Sequence, residues 1–591
     1  MLIFKNFLLI FTLLTETLTS PTATLKYIDF RKWFMLYMTF YFFNNLQIYF
    51  KFLTTNPKSD ILYSILLNFH AQGARTFGGK MFWDYLILIF YALTMIAVAL
   101  YTKTRSGSVS DFLLAGKGLN GWMTAFAYGT TYFSAVIFIG YAGQFGRSFG
   151  LASVWIGIGN ALIGTLAAWL VLAKRTRNMT QRLSVKTMPD FFEKRYGART
   201  LKLVSAVIIF IFLIPYSASV YNGLGSFFGI VFGIDGWIIM IILAVLTAFY
   251  LFLGGYFATA LSDFIQGIIM IFGIVCMVFC FMNSENVSWD ISKLVNDPNL
   301  TWFTFNADSK GIYGSTVSLI SLILLTSLGV WALPQTIHKY YAIRDRRAIT
   351  QGVVVSTAFA LVIGFFAYFT GALSAFFPET NGVPDSNVIP IMLAKVIPTG
   401  LIGIIAVLLL SASMSTLSSV SLAGASVIAI DLYKETVGKN ADDKKVNFVM
   451  RALCLVFVVV SVVIAILNEK VGIAAIAYMM GLSWGTLAGC FMGPYVLGVT
   501  WRKVTKSAVW ASIVSSLVLT ASLTVILGYD KNGWTGSFGE ALKSGVSSSP
   551  LIGVICMIFS LIITFAVSLM TKAPDEKIIF EAFDKSFEGE I

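Results

Sequence analysis

Long apolar segments recur along this chain, and they limit its fold more than any other feature. A helix needs about 20 apolar residues to cross a bilayer, and we count thirteen such segments after Met81. They lie at about 83–101, 122–146, 150–173, 203–231, 236–253, 257–282, 315–337, 351–377, 397–429, 446–467, 472–499, 507–528 and 550–571. Of the 591 residues, 57% are hydrophobic and 12% are charged, which excludes a soluble protein of this size. The sequence therefore predicts an all-α polytopic membrane protein with thirteen transmembrane helices and a membrane domain at 81–571.

Basic residues are concentrated in alternate loops between these spans. One set of loops carries 23 Lys and Arg residues, and the opposite set carries 7. The basic set comprises loops 102–121, 174–202, 338–350, 430–446 and 500–506. Basic loops face the cytoplasm, so the chain is predicted to lie in the cell membrane with its first span starting outside and its tail, 572–591, inside. The net charge of +13 then reflects membrane topology, and no nucleic acid partner is expected.

Residues 1–80 differ in composition from the remainder and contain no convincing span. The stretch 6–14 resembles the apolar core of a signal peptide. The alternative is that translation begins at Met81 and that the preceding segment is an artefact of start assignment.

The span from Trp122 to Gly150 has a small and polar middle, Gly129-Thr130-Thr131-Tyr132. A membrane helix interrupted in this way marks the binding site of many transporters, because loosened backbone is tolerated only where it lines a cavity or is buried in protein. The alternative is a seam of small residues at which helices pack closely.

A second interrupted helix is predicted at 315–337. Thr326, Ser327 and Gly329 weaken its middle, and Pro334 removes a backbone hydrogen bond near its end. It follows the first interrupted helix by five spans, so the two cross the membrane in opposite directions. Spans 122–282 and 315–499 are therefore predicted to form a five-plus-five inverted repeat.

Hydroxyl side chains occupy six of the nine positions from Ser411 to Ser419. Hard cations prefer oxygen ligands, so Ser415 and Thr416 could bind sodium together with carbonyls of an unwound helix. Hydroxyls also join membrane helices by hydrogen bonds, and the spacing favours neither reading over the other.

Asp263 is the only carboxylate that we place within the spans away from their ends. An ionisable residue inside a membrane is a candidate functional group, here on an ion path. The alternative is a carboxylate at a helix start near the cytoplasmic surface, where the helix dipole favours it.

Several motifs in order along residues 81–530 resemble the sodium:solute symporter family, nearest to its sodium/proline-type members and more distantly to the sodium/galactose type. The matching stretches are Asp111–Leu119, Met188–Tyr196, Leu261–Gln266, Met414–Ser418, Asp431–Lys434 and Trp501–Ala508. The resemblance implies a thirteen-helix leucine-transporter-like fold, with sodium as the coupling ion and no organic cofactor. No obligate protein partner is inferred.

In this family the sodium ligands are carbonyls of the first broken helix, with one carbonyl and two hydroxyls from the ninth span. The resemblance assigns them to Thr130, Phe133, Ala412, Ser415 and Thr416. The family also carries an Asp at the position of Asp263, where it is associated with sodium handling.

The substrate cannot be carried over from the family in the same way. Sodium/proline members have an Asp where this chain has Tyr132, and sugar-transporting relatives have polar residues where this chain has Ile137. The expected lining is Thr131, Tyr132, Ser134, Phe138, Trp155, Thr326, Val330, Trp331 and Pro334, although each aromatic residue could be ordinary core. We expect no basic residue at mid-depth, which suits a small, partly apolar organic solute such as an amino acid, carboxylate, vitamin or sugar.

Three functions are weighed. A channel would need a continuous polar lining or rings of charge, and a membrane sensor would need an appended signalling domain beyond the twenty residues after Thr571. An enzyme is not expected, because no phosphate-binding loop or nucleophile elbow stands in a suitable context. The sequence favours a sodium-coupled symporter that imports a small-molecule solute across the bilayer.

Overall fold

The computed structural model describes residues 81–102, 109–115, 119–298, 300–302, 315–472 and 475–583. In this part of the chain the regular elements are helices, apart from one isolated β-bridge between Leu119 and Ile343. Eleven of these helices are long and apolar enough to cross a membrane. The predicted all-helical, multi-pass membrane architecture is confirmed, while the expectations for residues 1–80 lie outside the described residues.

The long apolar helices are connected by loops and shorter helices. They extend over Phe82–Thr102, Val136–Arg182, Arg199–Phe232, Gly236–Met282, Thr316–Tyr341, Arg346–Phe376, Ile402–Tyr433, Asp443–Val471, Ile476–Thr500, Lys506–Lys531 and Ser549–Met570. Shorter helices are Val109–Leu114, Gly121–Tyr132, Met188–Tyr196, Ser292–Asn296, Val388–Val396, Phe538–Val546 and Glu576–Phe583.

Two of the eleven helices, Val136–Arg182 and Gly236–Met282, extend across the boundary between two predicted spans, and each leaves helical geometry at a glycine. Gly150 has φ 54° and ψ −134°, and Gly255 has φ 59° and ψ −158°. Side chains disfavour this region of backbone space, and a Cβ at Gly150 would stand 2.4 Å from the carbonyl oxygen of Leu300. The described part of the chain has eleven helices long enough to cross a membrane. The thirteen predicted crossings therefore require that these two helices be divided at Gly150 and Gly255.

The predicted basic loops gather at one end of the helix bundle, which we call the basic face. Arg177 donates from Nε to the carbonyl of Ile343 at 3.1 Å, joining loops 174–202 and 338–350. Arg195 donates to the carbonyl of Trp501 at 3.1 Å, which adds loop 500–506. Leu119 reaches Ile343 through the β-bridge. Lys202 adds loop 430–446, because its ammonium lies 2.9 Å from Glu435. All five loops predicted to share a side are therefore in contact there.

A buried ion-pair cluster fixes the end of helix Ile402–Tyr433 at the basic face. The Lys202 ammonium lies 2.8 Å from Glu193, 2.9 Å from Glu435, 3.4 Å from Asp190 and 3.8 Å from Asp431. The hydrogen bond from Lys202 lowers the pKa of Glu435 below its usual value. Two of the family-like sequence motifs, 188–196 and 431–434, thus meet around one lysine.

Candidate functional site

The first predicted helix break is present, a little later than the polar stretch that indicated it. Helix Gly121–Tyr132 ends at Phe133, whose φ of −102° and ψ of 111° are extended, and the next turns begin at Val136. Ser134 accepts the Val136 N–H on its own hydroxyl at 3.3 Å, and such side-chain bonds compete with helical ones. Gly129 remains helical and packs against the Phe359 ring, so the packing alternative holds for that residue.

The second predicted break is present at residues 330–333. Helix Ser315–Gly329 stops there, and Pro334 opens a new helix, Pro334–Tyr341. Proline suits a first helical turn because its missing N–H would have no intrahelical partner. Residues from 338 onward were predicted to form a loop, which is wrong for His338 and Lys339, since both are buried in this half-helix.

Four of the five predicted sodium ligands lie together beside the first break. Ser415 Oγ is 3.1 Å from the carbonyl oxygens of both Thr130 and Ala412. Thr416 Oγ1 is 3.1 Å from the Ala412 oxygen and 3.5 Å from the Thr130 oxygen. Phe133 is buried in the break itself, but no described contact joins its carbonyl to the two hydroxyls.

The chemistry of this group fits a small hard cation. Its atoms are two carbonyl and two hydroxyl oxygens, the ligand type that such cations prefer, and all four residues are buried. Among the described residues no group of His, Cys, Asp and Glu could hold a metal ion. In contrast, Ser413 of the same helix donates to the Leu409 carbonyl at 2.7 Å, so its hydroxyl only supports the helix.

The two broken helices touch each other through residues of the expected substrate lining. Tyr132 donates its hydroxyl to the Thr326 carbonyl at 2.6 Å, and its ring packs against Trp484. Thr326 Oγ1 donates to Asn160 Oδ1 at 2.7 Å. Trp331 lies nearby in sequence, and its Nε1 donates to a carbonyl of the helix that carries Asn160.

The remaining expected lining residues divide into three groups. Four are buried in or next to the breaks: Ser134, Phe138, Val330 and Pro334. Thr131 is buried, but its hydroxyl meets that of Ser419 at 2.9 Å, on the side of the hydroxyl cluster. Trp155 is 38% exposed, and its Nε1 donates to the carbonyl of Trp302. No described contact joins it to the other expected lining residues.

Asp263 is fully buried and forms an ion pair within the protein. The Lys339 ammonium lies 3.3 Å from Asp263 Oδ2, and both side chains are almost wholly enclosed. Asp263 is therefore not exposed to solvent, and its place on an ion path stays a prediction. Lys339 is buried although it was predicted to lie in a loop, because the half-helix opened by Pro334 carries it inward. It lies two residues before the end of that half-helix, so the expectation of no basic residue at mid-depth stays a prediction.

Sequence reasoning missed Asn160 and Lys339, and each left a signal. Asn160 is a lone amide within an apolar span, where a polar side chain usually has a partner in another helix. Its Oδ1 accepts from Thr326, while its Nδ2 is buried and finds no acceptor among the described residues. For Lys339 the signal was Pro334, which can start a helix as well as end one.

Comparisons with known proteins identify relatives of this chain. The model of the sodium:solute symporter family matches residues 112–515. The osmoregulated proline transporter OpuE of Bacillus subtilis is 28% identical over 82% of this chain and 94% of its own length. The high-affinity proline transporter PutP of the same organism is 27% identical over 82% and 97%.

A solved structure of a sodium-coupled sialic acid symporter, in its substrate-bound outward-open state, has the same fold. The two structures superpose with a TM-score of 0.66 at 17% sequence identity. The match covers 84% of this chain and 99% of the other.

Proposed function

The chain belongs to the sodium:solute symporter family, and we propose that it imports a small, partly apolar organic solute with sodium by alternating access. Sodium-coupled solute symport is the activity that this family membership gives. The observation that carries the proposal is the contact between Ser415, Thr416 and the Thr130 carbonyl at the first helix break. These hydroxyls and the Thr130 carbonyl at the break supply the oxygen ligands that a small hard cation prefers.

The proposed sodium ligands are the carbonyls of Thr130, Phe133 and Ala412 and the hydroxyls of Ser415 and Thr416. Bound sodium would supply positive charge that holds the first broken helix to the hydroxyl helix. The chain's own part is to present oxygens from two helices, one of them interrupted. A change in their relative position changes the number of ligands, which couples ion binding to conformation.

The proposed solute lies between the two breaks, against Tyr132, Thr326 and Trp331. The proline transporters among the relatives suggest a solute of amino-acid size, although Tyr132 replaces the Asp that proline-type members carry. The amide of Asn160 is a buried donor without an acceptor, and a carboxylate or carbonyl oxygen of the solute would satisfy it. We therefore favour a small carboxylate or amino acid with an apolar portion for the aromatic side chains.

We also propose thirteen crossings, which follow from dividing the two longest helices at Gly150 and Gly255. Each of the two five-helix units, 122–282 and 315–499, then begins with a broken helix, as an inverted repeat requires. The basic face is cytoplasmic by the positive-inside rule. This places the start of helix Phe82–Thr102 outside and the tail inside.

Counterflow in liposomes tests the proposed solute class. The purified protein is reconstituted, the liposomes are preloaded with one unlabelled compound, and exchange for its labelled form is followed with sodium and with choline. We expect saturable, sodium-dependent exchange for a carboxylate or amino acid from a panel that also contains vitamins and sugars. Exchange of sugars alone would refute the proposed solute class, and sodium flux without any solute would indicate a channel.

A further inference from the structure

The Asp263–Lys339 ion pair lies on the basic-face side of the proposed sodium ligands. Ser419, which the ammonium contacts at 2.8 Å, follows Ser415 by four residues along the helix. One turn of helix is about 5.4 Å, and the same helix continues to Asp431 at the basic face. Lys339 itself is two residues from Tyr341, where its half-helix ends. An ion that leaves the site toward the basic face has this pair in its way.

The hydrogen-bond directions from the ammonium inward are fixed by chemistry. Lysine can only donate, so Ser419 accepts from Lys339 and must donate its own proton elsewhere. Thr131 Oγ1, 2.9 Å from Ser419, uses its proton on the Ala127 carbonyl at 2.6 Å. Ser419 therefore donates to Thr131, and the order runs from Lys339 through Ser419 to Thr131. The ion pair is thereby connected to the residue after the proposed ligand Thr130.

The pair also joins three membrane elements that come from distant parts of the sequence. Lys339 belongs to the half-helix after the second break, and Asp263 to the helix that follows the Gly255 bend. Ser419 belongs to the hydroxyl helix. The ammonium additionally lies 5.1 Å from the centre of the Tyr256 ring. Interfaces of this kind have discrete open and closed arrangements rather than a continuous range.

Asp263 retains capacity for another cation. Its Oδ2 faces Lys339, while its Oδ1 is buried without a hydrogen bond in the described structure. A carboxylate oxygen is a preferred ligand of hard cations. Burial of a charged pair costs desolvation free energy that apolar side chains would not incur, so this pair is better explained by a working role than by stability.

We propose that Lys339 is the latch of the sodium exit route. Its tethered ammonium pairs with Asp263 and closes the route on the basic-face side. Sodium that leaves the site takes the place of the ammonium at Asp263, which frees the half-helix Pro334–Tyr341 to move. Lys339 thus acts as a positioning residue for sodium release, and this inference rests on the proposed sodium site.

Accessibility of a reporter cysteine tests the latch. Thr259 is buried one turn before Asp263 toward the Gly255 bend, so Thr259→Cys reports on opening at the basic face. In proteoliposomes, in a background without the five native cysteines, Lys339→Gln should raise its labelling by an impermeant maleimide from that face at least tenfold. Lys339→Arg should restore protection. Lys395→Gln, which changes a surface lysine paired with Glu379, is the matched control.

Transport provides a second readout, because a purely structural role of Lys339 would not affect net uptake and exchange differently. Lys339→Gln should raise the sodium concentration needed for half-maximal net uptake at least fivefold, because the population shifts toward the inward-open state. Exchange with saturating sodium on both sides should stay within twofold of the unmodified protein. Equal loss of net uptake and exchange would contradict the latch.

The double variant Asp263→Asn with Lys339→Gln removes both charges and leaves no lone buried charge to unfold the protein. In this double variant the maleimide should label Thr259→Cys as fast as it does in Lys339→Gln alone. Labelling at the rate seen with native Asp263 and Lys339 would overturn the proposal. Ser415→Ala separates the two ideas. If it leaves sodium dependence unchanged, the proposed sodium site is wrong; if it weakens sodium while the double variant stays protected, only the latch is wrong.

Discussion

Ser415 and Thr416 are neighbours on one helix, and both hydroxyls reach the same two carbonyls, those of Thr130 and Ala412. The Ala412 carbonyl belongs to their own helix, whereas the Thr130 carbonyl comes from another helix and must approach between two side chains that point about 100° apart. The break after Tyr132 provides that carbonyl. The importance of each hydroxyl therefore depends on an element 285 residues away in the sequence.

Removal of either hydroxyl should specifically weaken sodium binding. Ser415→Ala or Thr416→Ala leaves a small cation one oxygen short, so the apparent sodium affinity should fall at least about tenfold, which is about 1.4 kcal/mol. Sodium-dependent uptake at varied sodium measures this. Ser413→Ala is the control, because the Ser413 hydroxyl bonds only to its own helix. If all three variants lower protein abundance alike and keep normal sodium dependence, the cluster is structural.

Tyr132→Phe should weaken solute binding more than sodium binding. It deletes the hydrogen bond to the Thr326 carbonyl and leaves the aromatic ring, and a typical bond of this kind contributes about 0.5–1.5 kcal/mol. The solute concentration for half-maximal uptake should rise about two- to tenfold at saturating sodium. A normal solute affinity combined with a loss of sodium affinity would place Tyr132 outside the solute site.

The proposed site residues that act through their side chains could be predicted from the sequence, whereas those that act through backbone carbonyls could not. Ser415 and Thr416 stood out as a hydroxyl pair, and Asp263 as a lone carboxylate. The Thr130 and Ala412 carbonyls have no signature in their residue types, since any residue has a carbonyl. They could be assigned only through the family resemblance and the expected helix break. No role could be inferred for the Asn160 amide until the helix that packs against it was known.

The structural elements followed the sequence closely except at their ends. Gly129 and the two threonines predicted the first break, yet the chain stays helical through Tyr132, and the Phe359 ring packs against Gly129. Pro334 was predicted to lie near the end of a span that stopped at 337, whereas it begins a half-helix that continues to Tyr341. That single change moved Lys339 from a loop into the interior. Local sequence does not specify which side of a proline continues as helix, because neighbouring helices decide it.

The Lys202 cluster holds the basic-face end of the hydroxyl helix, and its loss should affect folding rather than ion recognition. Lys202→Met would leave Asp431 and its acidic neighbours without their buried cation, and loss of one partner of a buried pair costs about 3–5 kcal/mol. We expect a lower thermal unfolding temperature and lower abundance, with normal sodium affinity in the protein that remains. Lys194→Met, at a more exposed lysine beside Asp190, should be close to neutral. Unchanged stability of Lys202→Met would contradict this role.

For the whole molecule, the distribution of Lys and Arg was the most informative signal. It predicted that loops far apart in sequence share one side, and Arg177, Arg195 and their carbonyl partners lie together there. The apolar pattern predicted separate spans on either side of residues 147–149 and of residues 254–256, whereas the structure continues as one long helix through each place and leaves helical geometry only at Gly150 and Gly255. The number of crossings therefore stays a prediction, because helix length alone does not show where a continuous helix leaves the membrane.

The orientation of the molecule can be measured with single cysteines at exposed positions. Lys503→Cys on the basic face should react with an impermeant maleimide only in opened cells, because basic loops face the cytoplasm. Asn381→Cys, in an exposed loop outside the basic set, should react in intact cells. The reverse pattern would invert the topology while leaving the fold unchanged.

The most direct test of the central claim is the solute-induced current of reconstituted protein under a sodium gradient. The solute found by counterflow should evoke an inward current that requires sodium, saturates with solute and increases with an inside-negative potential. The potential contributes about 2.3 kcal/mol per charge for each 100 mV. Ser415→Ala should shift the sodium dependence of that current to higher concentration. Undiminished solute uptake in sodium-free liposomes, driven by a proton gradient alone, would contradict sodium-coupled symport.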